Sequence, residues 1–152
     1  MKVSKRTEYG LRAIVTLAEH DKIDSRPVPL REIAAEEDIP EAFLDQIFGM
    51  LRKEGIVTSV RGVNGGYTLA DTPDHIRMGQ VIRVLEGDVA PIGCVSEEFS
   101  DPEDFCAKAV KCYTRNVWLK LNESIIQTLD GLSLADVLLD QRADREIIAK
   151  SM

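Results

Sequence analysis

The first third of the chain places apolar and polar residues with the period of amphipathic helices. A first helix is predicted to begin after Ser4, whose hydroxyl is a favourable N-cap, and to run to about Glu19. Its apolar positions fall on one stripe, formed by Leu11, Ile14, Val15 and Ala18. The segment DKIDSRPVP then ends this helix, because proline and short polar residues favour turns.

Two shorter helices separated by the turn EEDIP are predicted next. The second helix is marked by Leu30, Ile33 and Ala34. Pro40 suits the first position of a third helix, whose apolar residues follow the i, i+3, i+4, i+7 spacing. These apolar residues are Leu44, Ile47, Phe48 and Leu51. This pattern is that of a helix-turn-helix.

A glycine-rich hairpin is predicted after the third helix. Gly55 ends that helix, and IVTSVR and YTLA have the pattern of two short strands on either side of GVNGG. Consecutive glycines allow the positive φ angles of a tight turn. The three helices and the hairpin together predict a winged helix. A small α+β domain whose hairpin only closes the core remains an alternative.

The second half of the chain is predicted to be helical apart from a loop. Met78, Val81, Ile82 and Leu85 indicate a helix that Gly87 stops. A long helix is predicted over about 114–130, with Gly131 as its stop. Its apolar stripe consists of Trp118, Leu121, Ile125 and Leu129. Ser133 is then predicted to cap a short helix, SLADVLLD, which a polar tail follows.

These elements predict a mostly α fold with a small β-hairpin wing, that is, a winged helix-turn-helix plus a long dimerisation helix. Residues 1–75 are assigned to the DNA-binding region, 76–140 to the cysteine loop and dimerisation helices, and 141–152 to a polar C-terminal tail. The long helix follows an already complete winged helix, so its apolar face needs another cover. A second copy of the chain is the simplest cover, and a homodimer is therefore expected.

Size and charge narrow the class of protein. The 152 residues suit one compact domain or a small domain with an appendage, and no apolar run reaches the roughly 18 residues of a membrane span. The beginning, MKVSKRTEYG, lacks the apolar region of a secretory signal, so a cytoplasmic location without membrane contact is expected. The net charge is −7, and residues 1–75 contain 10 lysines and arginines against 13 acids.

Any DNA contact must therefore use a local basic patch. The candidates are Lys2, Lys5, Arg6 and Arg12 near the amino terminus and Arg52, Lys53 and Arg61 around the hairpin. We find no nucleophile with a neighbouring histidine motif, no phosphate-binding loop and no dinucleotide fingerprint. An enzyme is therefore not predicted.

Three cysteines, Cys94, Cys106 and Cys112, lie in one acidic, turn-rich segment. In a reducing compartment an odd number of cysteines favours metal binding, redox sensing or simple burial over disulfides. Asp101 and Pro102 have the pattern of a helix start, so Cys106 is predicted to lie on a short helix. The segment has no close Cys-x-x-Cys pair and both histidines are distant in sequence, which makes a structural zinc site the weaker metal interpretation.

The segments IAAEEDIPEAFLDQIFGMLRKEGIVTSVRGVNGGYTLA, HIRMGQVIRVLEG and LSLADVLL resemble the Rrf2 family of bacterial transcription regulators. The resemblance extends from MKVSKRTEYGLRA to about Asp140, and its most specific parts are RGVNGGYTLA and LEG. It implies a homodimer with a winged helix and a long crossing helix. Many members of the family also bind an iron-sulfur cluster through three cysteines, so the resemblance implies such a cluster here, of the 2Fe-2S or 4Fe-4S type.

The cysteine segment departs from this family pattern in two ways. Eleven residues separate Cys94 from Cys106, which is longer than in the cluster-assembly and nitric-oxide sensors, whereas CAKAVKC keeps their spacing. Arg115 stands where the cluster-assembly regulator has a histidine ligand, and arginine stays protonated. The resemblance offers Glu8 as a fourth ligand that reaches the partner subunit's cluster. The simpler interpretation is that the helix dipole favours an acid in the first turn.

The resemblance also implies a DNA-binding surface. The third helix would enter the major groove and present Ala42, Asp45 and Gln46 to base edges. Arg61 would reach the minor groove, while Ser4, Lys5, Asn64 and Tyr67 would lie near phosphates. A dimer of such units would read a palindromic operator in double-stranded DNA.

The predicted function is that of an iron-sulfur-dependent repressor of genes for cluster assembly, iron or nitric-oxide and oxidative stress. One alternative is a cluster-free repressor controlled by an enzyme partner or by thiol oxidation. Another, of a different class, is a redox or cluster-carrier protein without sequence-specific DNA binding, for which the acidic charge is the main support.

Overall fold

The structure is a computed structural model that describes residues 2–152, so residue 1 of the predicted region 1–75 lies outside it. Over this part of the chain it contains seven helices and one pair of antiparallel strands, which confirms the predicted fold class of helices with a hairpin wing. The elements are α1 (Lys5–Asp24), α2 (Leu30–Glu37), α3 (Glu41–Lys53), β1 (Val57–Val60), β2 (Gly66–Leu69), α4 (Met78–Glu86), α5 (Pro102–Phe105), α6 (Arg115–Gly131) and α7 (Leu134–Ser151).

Helix α1 begins as predicted but ends later. The Ser4 hydroxyl caps it by accepting a hydrogen bond from the Thr7 amide at 3.2 Å. The helix continues to Asp24, beyond the predicted Glu19. Polar residues alone do not stop a helix, and the first residue after this point that forbids continuation is Pro27.

Helix α3 buries one side in the main core. Leu44, Ile47, Phe48 and Leu51 are all fully buried, in a core that also contains apolar residues of α1, α2, α4 and α7. Burial of each such side chain is worth about 1.5–3 kcal/mol. Pro40 is the N-cap rather than the first helical residue, one position from the prediction.

The hairpin is anchored to the connection between α1 and α2. Strands β1 and β2 pair from Val57 opposite Leu69 to Val60 opposite Gly66. Tyr67 also exchanges two backbone hydrogen bonds with Val28, each of 2.9 Å. Gly66 has a φ of 153°, and a Cβ there would overlap the Val28 carbonyl, so glycine is required for this approach.

Helix α4 lies between α1 and α6. Gly10 of α1 lets Leu85 approach closely, because a Cβ on Gly10 would overlap the Leu85 side chain. On the other side, Arg83 forms an ion pair with Asp130 of α6 at 2.6 Å. Helix α4 therefore connects the winged helix to the long helix.

The cysteine segment forms a small core of its own beside α6. Two 3-10 turns, Gly93–Val95 and Ala109–Lys111, flank α5. The prediction that Cys106 lies on a short helix is wrong by one residue, because α5 ends at Phe105 and Cys106 has extended backbone (φ −150°, ψ 117°).

Helix α7 is much longer than the predicted SLADVLLD, since it continues to Ser151 and includes most of the expected polar tail. Alanine, arginine, glutamate and lysine are good helix formers, and no glycine or proline interrupts them here. An ion pair of 3.3 Å between Arg145 and Glu19 ties this extension to α1. Within residues 2–152, no helix is both long enough and apolar enough to cross a membrane.

Candidate nucleic-acid interface and cysteine segment

The predicted recognition residues lie together on the solvent side of α3. Ala42, Asp45 and Gln46 are exposed, and their i, i+3, i+4 spacing places them on one face. The opposite face of the helix is the buried one described above. The fold thus presents these three side chains on a rigid element, where they are accessible to a large partner such as a DNA duplex.

The wing tip carries the accessible cation of the hairpin. Arg61 and Asn64 are both exposed beside Gly62, whose φ is 111°. Over the described residues, no ion pair involves Arg61 or its neighbours in the predicted patch, Arg52 and Lys53. Their charges are not neutralised by a bound acid and are available for phosphates.

Other members of the predicted basic patch are committed to contacts within the fold. Arg6 Nε donates to the Leu85 carbonyl at 2.7 Å, and Arg12 Nε donates to Glu37 at 3.0 Å. Lys5 Nζ lies 2.9 Å from Glu8, and the hydrogen bond to Glu8 holds the pKa of Lys5 above its usual value.

Aromatic contacts join the start of α1 to α3. The Tyr9 ring meets Phe43 edge-on at 5.7 Å, and Lys5 lies 5.4 Å from the centre of the Tyr9 ring. Tyr67 packs similarly, since its ring contacts Phe48 at 5.0 Å and links the wing to α3. These rings hold the three parts of the candidate interface in a fixed relation. Contact of Tyr67 with a phosphate stays a prediction.

Glu86, the middle residue of the LEG motif, is a residue to which the sequence alone assigned no role. Glu86 Oε2 accepts hydrogen bonds from the Ser4 amide at 3.1 Å, the Ser4 hydroxyl at 2.7 Å and the Thr7 hydroxyl. The Thr7 hydrogen bond, followed by that of Ser4, holds the pKa of Glu86 below its usual value. A signal was present in the sequence, because a carboxylate in the last turn of a helix is disfavoured by the dipole and needs another partner.

Cys94 lies in a buried position. It belongs to the small core with Val95 and Ala109, against which Trp118 of α6 packs. Arg115 Nε donates to the Cys94 carbonyl at 3.1 Å and so fixes this turn to α6. Burial with apolar neighbours is also the environment of an inert core cysteine.

The other two cysteines are more accessible. Cys106 is exposed, and Cys112 is half-buried just before α6. Cys112 Sγ lies 3.1 Å from the Thr114 hydroxyl. That hydrogen bond, followed by the backbone N–H groups of Arg115 and Thr114, lowers the pKa of the Cys112 thiol.

The three sulfur atoms do not form a ready site for a metal cluster in this arrangement. Among residues 2–152 there is no group of three cysteine, histidine or acidic side chains placed to hold a metal ion. The cysteines share one folded segment, but one thiol is buried in its core while the others lie near its surface. The described geometry therefore does not fit a bound iron-sulfur cluster without rearrangement of the segment. Glu8, which the resemblance offers as a fourth ligand, accepts a hydrogen bond of 2.9 Å from Lys5 of the same helix.

An apolar groove of about 610 Å³ opens between the beginning of α1, the end of α4 and one side of α6. Leu11, Ile82, Ile125 and Leu129 are among the side chains that line it. Beside it on α6, Val117 and Leu121 are exposed to 60% and 43%. Within the described chain no residue of α6 is fully buried. The long helix thus keeps an uncovered apolar face.

Comparisons with known proteins agree with this architecture. Residues 3–140 match the family Rrf2, described as an iron-dependent transcriptional regulator. The transcriptional regulator IscR of Aliivibrio salmonicida is 35% identical over 152 residues, covering 97% of this chain and 86% of that protein.

Two solved structures are also similar. CymR, the global cysteine regulator of B. subtilis, gives a TM-score of 0.71 at 33% identity and covers 91% of this chain and 96% of its own. T. potens IscR gives a TM-score of 0.70 at 39% identity and covers 93% of this chain and 88% of its own. The relatives are transcriptional regulators rather than enzymes. The chain therefore belongs to the Rrf2 family and is a transcriptional regulator.

Proposed function

We propose that this regulator is a homodimeric repressor that binds a palindromic DNA operator in the cytoplasm and senses its signal through the segment that carries the three cysteines. The observation that supports DNA reading best is the exposed face of α3, whose reverse side is fully buried in the core. We divide the chain accordingly into a DNA-binding region (1–75), a cysteine and dimerisation region (76–140) and a C-terminal extension (141–152).

The side chains on this face suit base recognition. Gln46 can form two hydrogen bonds with adenine, and Asp45 can accept one from the amino group of cytosine, while Ala42 offers an apolar contact. Arg61 at the wing tip suits the minor groove. Ser4, Lys5, Asn64 and Tyr67 complete the proposed set as contacts near phosphates.

Operator binding is tested with a duplex selected from random-sequence DNA by the purified protein. We expect Gln46→Ala to cost about 1–3 kcal/mol at one base position and to relax preference there, because a bidentate contact is lost. Arg61→Ala should weaken binding, whereas Arg142→Ala, an exposed arginine on α7, serves as the control for lost charge. Equal effects of the two arginine substitutions, measured by fluorescence anisotropy, would contradict the role of the wing.

We further propose that Cys94, Cys106 and Cys112 bind an iron-sulfur cluster of the 2Fe-2S or 4Fe-4S type, with Glu8 of the partner subunit as the fourth ligand. Thiolates are the ligands that such clusters use. Likeness to IscR over most of the chain supports this assignment. When bound, the cluster would supply a redox-sensitive centre, and the genes controlled would serve cluster assembly, iron or nitric-oxide and oxidative stress.

The cluster is tested by purification without oxygen, followed by measurement of iron and sulfide. We expect both in the wild-type protein and their loss when all three cysteines are replaced by serine. Glu8→Ala should retain the three thiol ligands but release iron faster to a chelator, with Glu41→Ala as the control for another exposed acid at a helix start. A colourless, iron-free wild-type protein that binds its operator fully would contradict the proposal that the protein binds a cluster.

A second candidate is a cluster-free repressor controlled by an enzyme partner or by thiol oxidation. The observation that favours it is the absence, among the described residues, of three gathered metal ligands. Likeness to CymR supports it as well. The triple serine variant separates the enzyme-controlled form from a cluster-dependent repressor, since an enzyme-controlled repressor keeps both operator binding and its response. A redox or cluster carrier without specific DNA binding receives no support from the family.

A further inference from the structure

We infer that the carboxylates of Glu86 and Asp88 together connect the first turn of α1 to the turn that carries Cys94. In the proposed function, that end of α1 faces DNA. The inference rests on the proposed function, because it assigns the residues that carry a change in the cysteine segment to the DNA-binding surface. Glu86 is a positioning residue in this role, since it acts through Ser4 and Thr7.

Glu86 holds the first turn of α1. A single oxygen, Oε2, accepts hydrogen bonds from the amide and hydroxyl of Ser4 and from the hydroxyl of Thr7. Thr7 is only 1% exposed, so its hydroxyl has little access to water as a substitute partner. Replacement of the carboxylate by a neutral amide, as in Glu86→Gln, therefore weakens these hydrogen bonds and loosens the turn that carries Ser4 and Lys5.

The dipoles of the two helices act on the Glu86 carboxylate in opposite ways. Glu86 is the last residue of α4, where the carbonyl end of the helix dipole disfavours a carboxylate. The N–H end of α1 favours it. Arg6 adds a second link, from its Nε to the Leu85 carbonyl at 2.7 Å. The charged Glu86 carboxylate is thus stabilised by the first turn of α1, which packs against the end of α4.

Asp88 makes the corresponding contacts on the cysteine side. Its carboxylate accepts hydrogen bonds from the Ala90 amide at 3.0 Å and from the Ser96 hydroxyl. Ser96 is the C-cap of the turn Gly93–Val95, which contains Cys94. Ser96 Oγ in turn accepts from the Glu98 amide at 3.0 Å. Asp88 therefore holds the backbone on both sides of the buried cysteine.

Gly87 sets the relation between the two carboxylates. Its φ of 89° and ψ of −139° form a conformation that other residues rarely adopt. The adjoining close contact of Leu85 with Gly10 packs α4 directly against α1. A displacement of the turn Gly93–Val95 therefore acts through Asp88 and Gly87 on Glu86, and so on Ser4 and Lys5 at the proposed phosphate contacts.

The first test uses the sign of the effect on DNA binding. Removing an acid from a protein with a net charge of −7 should strengthen DNA binding by electrostatics alone. We expect Glu86→Gln instead to weaken binding to the selected operator by on the order of tenfold. Its dependence of log affinity on log salt should become less steep by about 1, as expected if the Lys5 contact is lost.

Two further variants separate position from charge and from folding. Thr7→Val removes a donor without changing charge and should weaken binding in the same direction. Glu146→Gln, an exposed acid on α7, is the control for the lost charge. Amide hydrogen exchange should accelerate over residues 4–8 in Glu86→Gln while α3 stays protected. If Glu86→Gln and Thr7→Val bind as the wild type does, or as Glu146→Gln does, the positioning role is wrong.

The second test addresses the link to the cysteine segment. We measure operator affinity before and after alkylation of the thiols with N-ethylmaleimide. Ser96→Ala should bind the operator as the wild type does before treatment, but its change in affinity on alkylation should shrink towards onefold. Ser100→Ala, an exposed serine in the same segment, should respond as the wild type does.

The outcomes distinguish this inference from the proposed function. A Ser96→Ala response equal to that of the wild type, or a wild type whose affinity alkylation does not change, overturns the link and leaves operator binding intact. A wild type that selects no operator contradicts the proposed function instead. In that case hydrogen exchange over residues 4–8 still decides whether Glu86 holds α1: acceleration in Glu86→Gln supports the contact, and unchanged exchange overturns it.

Discussion

At the scale of single residues, the contact between Gly10 and Leu85 shows how α1 and α4 come close enough for their ends to meet. A Cβ on Gly10 would overlap Leu85 and would also lie 3.2 Å from Ile47 Cγ2. Because Leu85 and Ile47 are both fully buried, neither has open space into which it can move. The glycine is therefore a packing requirement rather than a flexible point in the helix.

We expect Gly10→Ala to destabilise the fold by about 1–3 kcal/mol, because the added methyl group overpacks the core. Gly49→Ala is the matched control, since a Cβ at Gly49 meets nothing within 4 Å. Its gain in helix propensity should stabilise the protein by up to about 1 kcal/mol. Urea unfolding of both variants measures the difference in the free energy of unfolding. Equal effects would show that α1 and α4 pack less closely at Gly10 than described.

Glu86 predicts a pH dependence with a definite sign. Its hydrogen bonds to Thr7 and Ser4 lower its pKa in the folded protein, so its contribution is complete above the pKa of the unfolded chain. That contribution is lost as the pH falls through the lower, folded pKa. The difference in unfolding free energy between the wild type and Glu86→Gln should be largest above about pH 5 and shrink below about pH 4. Chemical denaturation at a series of pH values measures this.

At the scale of elements, sequence periodicity predicts those helices whose boundaries are marked by local chemistry. The solvent face of α3 was predictable because the apolar stripe from Leu44 to Leu51 fixes its buried side, and the opposite side must face outward. The end of α7 was not, since no local signal says whether a polar stretch of good helix formers continues or frays. The Arg145–Glu19 ion pair that accompanies the extension joins residues far apart in sequence.

The start of α7 depends on a reciprocal cap. Ser133 Oγ accepts from the Asp136 amide at 3.1 Å, while the Asp136 carboxylate accepts from the Ser133 amide at 2.9 Å. We expect Ser133→Ala to cost about 0.5–2 kcal/mol, because these orphan groups at the helix start lose a partner. Thermal unfolding should show the loss, with Ser151→Ala near the other end of α7 as the control. Equal melting temperatures would mean that the cap contributes nothing measurable.

At the scale of the whole molecule, the uncovered apolar face of α6 and the adjoining groove support the proposed homodimer. We expect Leu121→Glu, which places a charge on this face, to shift the protein towards a monomer and to weaken operator binding through lost bivalency. Gln127→Glu adds the same charge at a polar, exposed position of α6. Sedimentation at several concentrations compares the two, and an unchanged dimer in Leu121→Glu would place the interface elsewhere.

The proposed functional surface was only partly predictable from the sequence, because some of its contacts join residues that are far apart along the chain. Ala42, Asp45 and Gln46 share a face because four residues make about one helical turn. The contact between Ser4 and Glu86 spans 82 positions, and only the packing of α4 on α1 creates it. The same holds for the cysteines, because spacing gives their order along the chain but not which thiol enters the small core.

The position of Trp118 has a practical consequence. It is the chain's single tryptophan, and it packs against the small core that contains Cys94. Nearby thiols quench indole emission, so the unlabelled protein carries its own optical probe of this segment. Stopped-flow fluorescence should therefore record how fast the segment reacts to an added oxidant or iron source, and a Cys94→Ser protein should begin from a brighter baseline.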